Sequence, residues 1–220
     1  MTLAEQHSKR LEYGAMGPEH VPDAQGMLAE NEVEIGSLST RAMYNAVCCE
    51  AAAGRMIGFV AAAGDKLAGC ILAARNYRRS WMRVLLRHPL IATRVLAVRA
   101  IRRLRRPAAA VRSQGKERMM PDLAYRRDSE WNVSRRDIAN IMFIGVAPPW
   151  RGLGVGTQLY HEFFRYCRAQ GITRILAHIS PDNIASIHLH RKLGYELSTD
   201  GNVVFAGIDL NEPPFEEMNQ

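Results

Sequence analysis

The sequence predicts a mixed α/β domain, and three stretches carry that prediction. In the first, an apolar run at residues 141–146 leads through Ala147-Pro148-Pro149-Trp150 into Arg151-Gly152-Leu153-Gly154-Val155-Gly156-Thr157. Val155, Leu159, Phe163 and Cys167 then recur at every fourth position, with Tyr160 and Phe164 beside them, which marks a helix with one buried face. In the second, Ile175, Ala177 and Ile179 alternate with Arg174, Leu176 and His178, the period of a strand with two different faces. In the third, residues 55–63 and 67–74 read as two apolar strands joined at Gly64-Asp65, a turn signal.

Taken in order, residues 11–16 read as a first strand and 18–34 as a helix with an acidic end at Glu30, Glu32 and Glu34. That end reads as a solvated face or as a substrate rim. Residues 38–53 form a second helix, with Met43, Ala46 and Val47 on one side. After the strand pair the composition changes sharply. Residues 75–127 hold fifteen arginines and one lysine against Glu117 and Asp122. This local charge of +14 sits in a chain of net +7, so the remainder carries −7 and basicity belongs to one segment.

Within that segment Trp81, Met82, Val84, Leu85 and Leu86 precede Pro89, which suits a helix start, and Pro107 suits its end. Leu90, Ala97, Ile101 and Leu104 can share a face, with Arg99, Arg102, Arg103 and Arg106 around the other side. A basic amphipathic stretch of this kind suits an anionic membrane surface, read here over residues 77–128. The alternatives are packing on the domain or on a second subunit as a homodimer, and, less well supported, nucleic acid. Residues 108–128 hold few apolar side chains and read as a lid or as a stretch without fixed structure.

Composition bounds the class. A chain of 220 residues with 47% apolar content suits one domain with a sizeable core. Cys48, Cys49, Cys70 and Cys167 show no metal or disulfide spacing and read as thiols of a reducing compartment, which points to the cytoplasm. Residues 1–10 lack the apolar core of a signal peptide, and no run of eighteen uncharged apolar residues predicts a spanning helix.

The glycine turn carries the chemistry. Three glycines and an arginine lie where a strand becomes a helix, so several backbone N–H groups can approach an anion closely. The helix N-terminus adds unpaired donors and partial positive charge, which favours phosphate. The turn lacks the Gly-Lys-Ser/Thr end of a P-loop, and no acidic residue ends the next strand where a dinucleotide ribose would need one. Downstream, Ser180-Pro181-Asp182-Asn183 is a turn and helix cap. Ile184, Ile187 and Leu189 lead towards Leu193, and Gly194 closes the short helix before Tyr195.

Val146 with the glycine turn at 151–156, together with Asn183, Ser186, Leu189-His190 and Gly194-Tyr195, resembles the GNAT superfamily of N-acetyltransferases. The close resemblance covers roughly a quarter of the chain. It implies a mixed, largely antiparallel sheet flanked by helices, with the basic segment 77–137 as a helical insertion between the third and fourth strands. It implies acetyl-CoA as cosubstrate, held by Val146, Arg151, Gly152, Leu153, Gly154, Val155, Gly156, Thr157 and Asn183, with no metal. The acceptor is a small-molecule or peptide amine, and the Val146 backbone N–H is placed to stabilise the oxyanion.

Many members protonate the departing thiolate with a tyrosine one residue after the motif leucine. That position is His190 here, and imidazole can donate a proton near neutral pH. Some members carry a glutamate base five residues before the asparagine; that position is His178, with Asp137 as a second candidate. For both histidines a purely structural role stays open. His161 and His188 read as helix-surface residues. Two other readings remain: transfer of a longer acyl chain from acyl-CoA or acyl carrier protein at a membrane, and a CoA-binding module without catalysis.

Overall fold

A computed structural model describes residues 11–31, 41–64, 66–75, 77–104, 137–200 and 203–211. The chain runs through β1 (Glu12–Ala15), a 3-10 turn (Pro18–His20), α1 (Val21–Glu30), α2 (Arg41–Ala52), β2 (Ile57–Ala63) and β3 (Lys66–Arg75). Next come α3 (Tyr77–Arg87), α4 (Pro89–Leu104), β4 (Ile138–Val146), a 3-10 turn (Pro148–Trp150) and α5 (Val155–Ala169). The chain then continues through β5 (Arg174–Ile179), α6 (Ile184–Lys192), β6 (Glu196–Asp200) and β7 (Val203–Asp209). The first helix stops at Glu30, short of the expected 34; Glu32 and Glu34 lie outside the described residues.

The strands form one sheet in the order β1-β2-β3-β4-β5-β7-β6. Every described neighbour pair is antiparallel except β4 with β5. The period of two divides the side chains between two cores. Val60, Cys70, Leu72 and Ala74 meet α1 and α2 on one face. Ile57, Phe59, Ala61, Ile71 and Ala73 meet Leu159, Phe163 and Cys167 of α5 on the other. Covered on both faces, β2 is buried along its whole length. A strand of this kind reads as a continuous apolar run rather than an alternating one.

The basic segment begins as two helices on the α1–α2 side. Ser80 Oγ donates to Arg75 O at 3.0 Å, tying α3 to the end of β3. Val84, Ile91 and Val95 enter the core. Of the expected stripe, Leu90 is 78% exposed and Ala97 is also exposed, while a separate face carries Ile91 and Val95 inward. The side chains of Ile101 and Leu104, and all of residues 105–136, lie outside the described residues.

Glu50 of α2 lies near the junction between α3 and α4. It is 2% exposed and accepts two bonds from Arg55, Nε at 2.7 Å and Nη2 at 2.8 Å. His88 Nε2, between α3 and α4, lies 3.8 Å from Glu50 Oε1, beyond hydrogen-bond distance. The hydrogen bonds from Arg55 hold the Glu50 carboxyl below its ordinary value, against the opposing effect of burial. The four cysteines are free thiols, with Cys48, Cys70 and Cys167 buried and Cys49 half-buried. No described helix is long and apolar enough to cross a membrane.

Candidate active site

The site begins where β4 parts from β5. Their parallel pairing covers only Ile138↔Arg174 to Ile141↔Ala177, although β4 runs on to Val146. The register of β4 against β3 shifts between Leu72 and Ala73, so an extra residue, Met142, bulges at the point of separation. Such bulges bend a strand and re-aim the side chains beyond the bend. Here Phe143 turns to the α1–α2 core, while Ile144 and Val146 pack on the α5 side.

Beyond the bulge one edge of β4 has no neighbouring strand among the described residues. On the β3 side Ala147 N donates to Ala68 O at 2.9 Å. Hydrogen-bonded and non-hydrogen-bonded pairs alternate along an antiparallel ladder, so the backbone groups of Val146 and Ile144 point the other way, into the opening. The Val146 carbonyl accepts from Arg151 Nε at 2.9 Å. By the same alternation the Val146 N–H points to that side too.

The glycine turn lies at the same end of β4. Gly152 and Gly154 both have φ of 77°, a left-handed conformation that side chains with a Cβ resist. Gly154 is the N-cap of α5, and its carbonyl accepts from Gln158 N at 3.0 Å. The N–H groups of Val155, Gly156 and Thr157 therefore fall before the first intrahelical bond. The Val155 side chain itself is buried beneath them.

Gly156 has a different rationale. A Cβ there would meet Val146 Cγ2 at 3.5 Å and Leu189 Cδ2 at 3.7 Å, ordinary contacts. Protein packing does not demand glycine, and glycine costs a helix about 1 kcal/mol relative to alanine. Left-handed glycines, orphan N–H groups, an exposed arginine and an open strand edge together fit a molecule with phosphates at one end and an amide-bearing arm.

The two candidate catalytic histidines differ. His178 is the first residue of β5 after pairing with β4 ends. Its neighbours Ala177 and Ile179 face the α5 core, so His178 looks out from the opposite face, where its ring meets Phe205 edge-on at 5.0 Å. It keeps access to solvent, yet the protein around it strips enough water to draw its pKa below 6.5.

His190 is 1% exposed. Its Nδ1 lies 2.7 Å from Ser186 O, which can only accept, so Nδ1 carries the proton. Nε2 is then the acceptor for the Tyr160 hydroxyl at 2.8 Å. Both ring nitrogens are engaged inside the protein. Burial lowers the His190 pKa, with the Ser186 bond opposing, and raises that of Tyr160 far above 10. Placed this way, His190 has neither the spare proton nor the access that an external acid needs. Tyr195, 4.7 Å from the His190 ring, is also buried, and its hydroxyl has no hydrogen-bond partner among the described residues.

Asn183 is the N-cap of α6; its Oδ1 accepts from Ser186 N at 3.0 Å. Asp137 sits at the far end of β4, where its carbonyl receives Thr173 N at 2.9 Å, away from the opening. His188 is exposed and His161 half-buried on α5. Among the described residues no cluster of ligating side chains could hold a metal. Sequence reasoning missed Tyr160, which reads there only as a neighbour of the apolar helix face, and Phe205, to which it assigns nothing.

A sequence profile of the acetyltransferase (GNAT) family matches residues 122–195. An L-methionine sulfoximine/L-methionine sulfone acetyltransferase of Pseudomonas aeruginosa is 48% identical over 48 residues, 22% of this chain and 28% of that protein. An uncharacterised N-acetyltransferase of Methanocaldococcus jannaschii is 31% identical over 71 residues, 31% of each chain. The matched stretches thus span about a third or less of these relatives. The fold extends further. An N-acetyltransferase of Thermoplasma acidophilum, solved in complex with coenzyme A, superposes with a TM-score of 0.55 at 10% identity, over 91% of this chain and 99% of that one.

Proposed function

Because this chain belongs to the GNAT superfamily of acetyltransferases, we propose that it transfers the acetyl group of acetyl-CoA to a primary amine. The observation that carries the reading is the opening of β4 from β5 beside the glycine turn at the head of α5.

The thioester supplies an activated acetyl group. The N–H groups of Val155, Gly156 and Thr157 receive the phosphates, with Arg151 adding charge from the rim. The open edge of β4 takes the amide-bearing arm as an added strand. The Val146 N–H stands where negative charge develops on the carbonyl oxygen. His178, neutral at physiological pH because its pKa is lowered, accepts the amine proton, directly or through water. Asn183 and His190 act at one remove: the first caps α6, and the second ties it to α5 through Tyr160. The departing sulfur takes its proton from solvent.

The Pseudomonas relative acts on amino-acid analogues, so small α-amino acids are the first acceptors to try, followed by peptide N-termini and polyamines. The test is acetyl-CoA turnover, read as thiol release, across that amine panel. Gly156→Glu should raise the Michaelis constant for acetyl-CoA by roughly tenfold or more, because a carboxylate would occupy the phosphate's place. A folded Gly156→Glu protein with unchanged acetyl-CoA binding would overturn the site. Tight coenzyme A binding without thiol release for any amine would favour the non-catalytic module.

A further inference from the structure

The paired helices α3 and α4 present an unusual surface. Six large apolar side chains stand exposed among the described residues, and four of them lie here: Met82 at 53%, Leu86 at 76%, Leu90 at 78% and Leu96 at 66%. They are separate from the inward stripe, since Val84, Ile91 and Val95 fill the core from the other side. Met82 and Leu86 are four apart and stack on one face of α3. Leu90 opens α4 four residues later. In helical projection Leu96, Ala97 and Leu90 span roughly a third of the circumference, away from Ile91 and Val95. Arg83, Arg87 and Arg94 are exposed among them. Residues 77–104 contain eight arginines and no aspartate or glutamate.

Charge decides what can cover such a face. The chain's own residues 105–136 carry nine basic against four acidic side chains, so they would be repelled. A second copy joined through a two-fold axis would bring the same arginines face to face. Nucleic acid would meet the arginines with phosphate but leave the leucine and methionine tips in water. An anionic bilayer answers both features, with headgroup charge for guanidinium and the acyl boundary for the apolar tips. We propose that the α3–α4 face docks the protein peripherally on an anionic lipid bilayer.

Full-length protein should co-sediment with phosphatidylcholine vesicles containing phosphatidylserine and stay in solution with phosphatidylcholine alone. Binding should weaken as salt rises, because the screening length shrinks from about 30 Å at 0.01 M to about 10 Å at 0.1 M. Replacing Met82, Leu86 and Leu90 together by serine should lower vesicle affinity roughly tenfold or more, since the insertion term is lost. The same variant should keep its melting temperature and its acetyl-CoA binding, because all three side chains are exposed. Its affinity for duplex DNA should not change, that binding being carried by phosphate contacts. Failure to bind phosphatidylserine vesicles at low salt would overturn the proposal. So would serine variants that bind vesicles as tightly as the parent, which would leave bare charge as the cause. A shift from dimer to monomer in the serine variant, with vesicles ignored, would assign the face to a second copy instead.

Discussion

The two candidate histidines have different surroundings. His178 has solvent on one side and Phe205 on the other, and its neutral form is favoured. His178→Gln should lower kcat at least a hundredfold, the usual worth of a general base, with little change in the Michaelis constant for acetyl-CoA. In the parent protein kcat/KM should fall with acid only below the ordinary imidazole value of 6.5, as His178 becomes protonated, and that limb should vanish in the variant. His190→Phe should behave otherwise. It leaves the Tyr160 hydroxyl without its acceptor, a cost of about 1–3 kcal/mol, so the melting temperature should drop by several degrees. Turnover per folded molecule should change less than threefold; a hundredfold loss would restore His190 as the acid. The sequence placed both residues at motif positions but could not tell their burial apart. Along α6 the apolar Ile184 is exposed while His190 is interior, so hydrophobic spacing pointed the wrong way.

Among the elements, α3 and α4 show how far patterning reaches. Pro89 correctly marks a helix start. Yet Pro89–Leu104 carries apolar residues on more than one stripe, and spacing alone admits both Leu90 with Ala97 and Ile91 with Val95. Contact with the α1–α2 core takes Ile91 and Val95 inward and leaves Leu90 and Ala97 exposed on another face. The Glu50 cluster at the same junction was also hidden, because Glu50 meets His88 only through the fold. Its stabilisation should be fully present above the ordinary carboxyl value of 4.5 and fade as pH falls through the lower folded value. Arg55→Met should lower the melting temperature at neutral pH and flatten that acid dependence, which thermal scans across pH would record.

For the whole molecule, local signals and distant ones separate cleanly. The glycine turn was legible because a left-handed backbone at Gly152 and Gly154 calls for glycine. The strand pair around Gly64 was legible because a short turn makes its strands neighbours. Parallel pairing of β4 with β5, its end at Ile141↔Ala177 and the bulge at Met142 were not, since they depend on strands brought together across a helix.

That broken pairing has a consequence for how the molecule exchanges its amide hydrogens. A middle strand of a seven-stranded sheet would ordinarily hold them for as long as the fold survives. In β4 the amides at Phe143 and Gly145 should be retained, because they point at β3. Those at Ile144 and Val146 point into the opening and should be replaced by deuterium as quickly as amides on an edge strand. Coenzyme A should close the gap and slow both, so residue-resolved exchange would show an alternating pattern that the ligand erases.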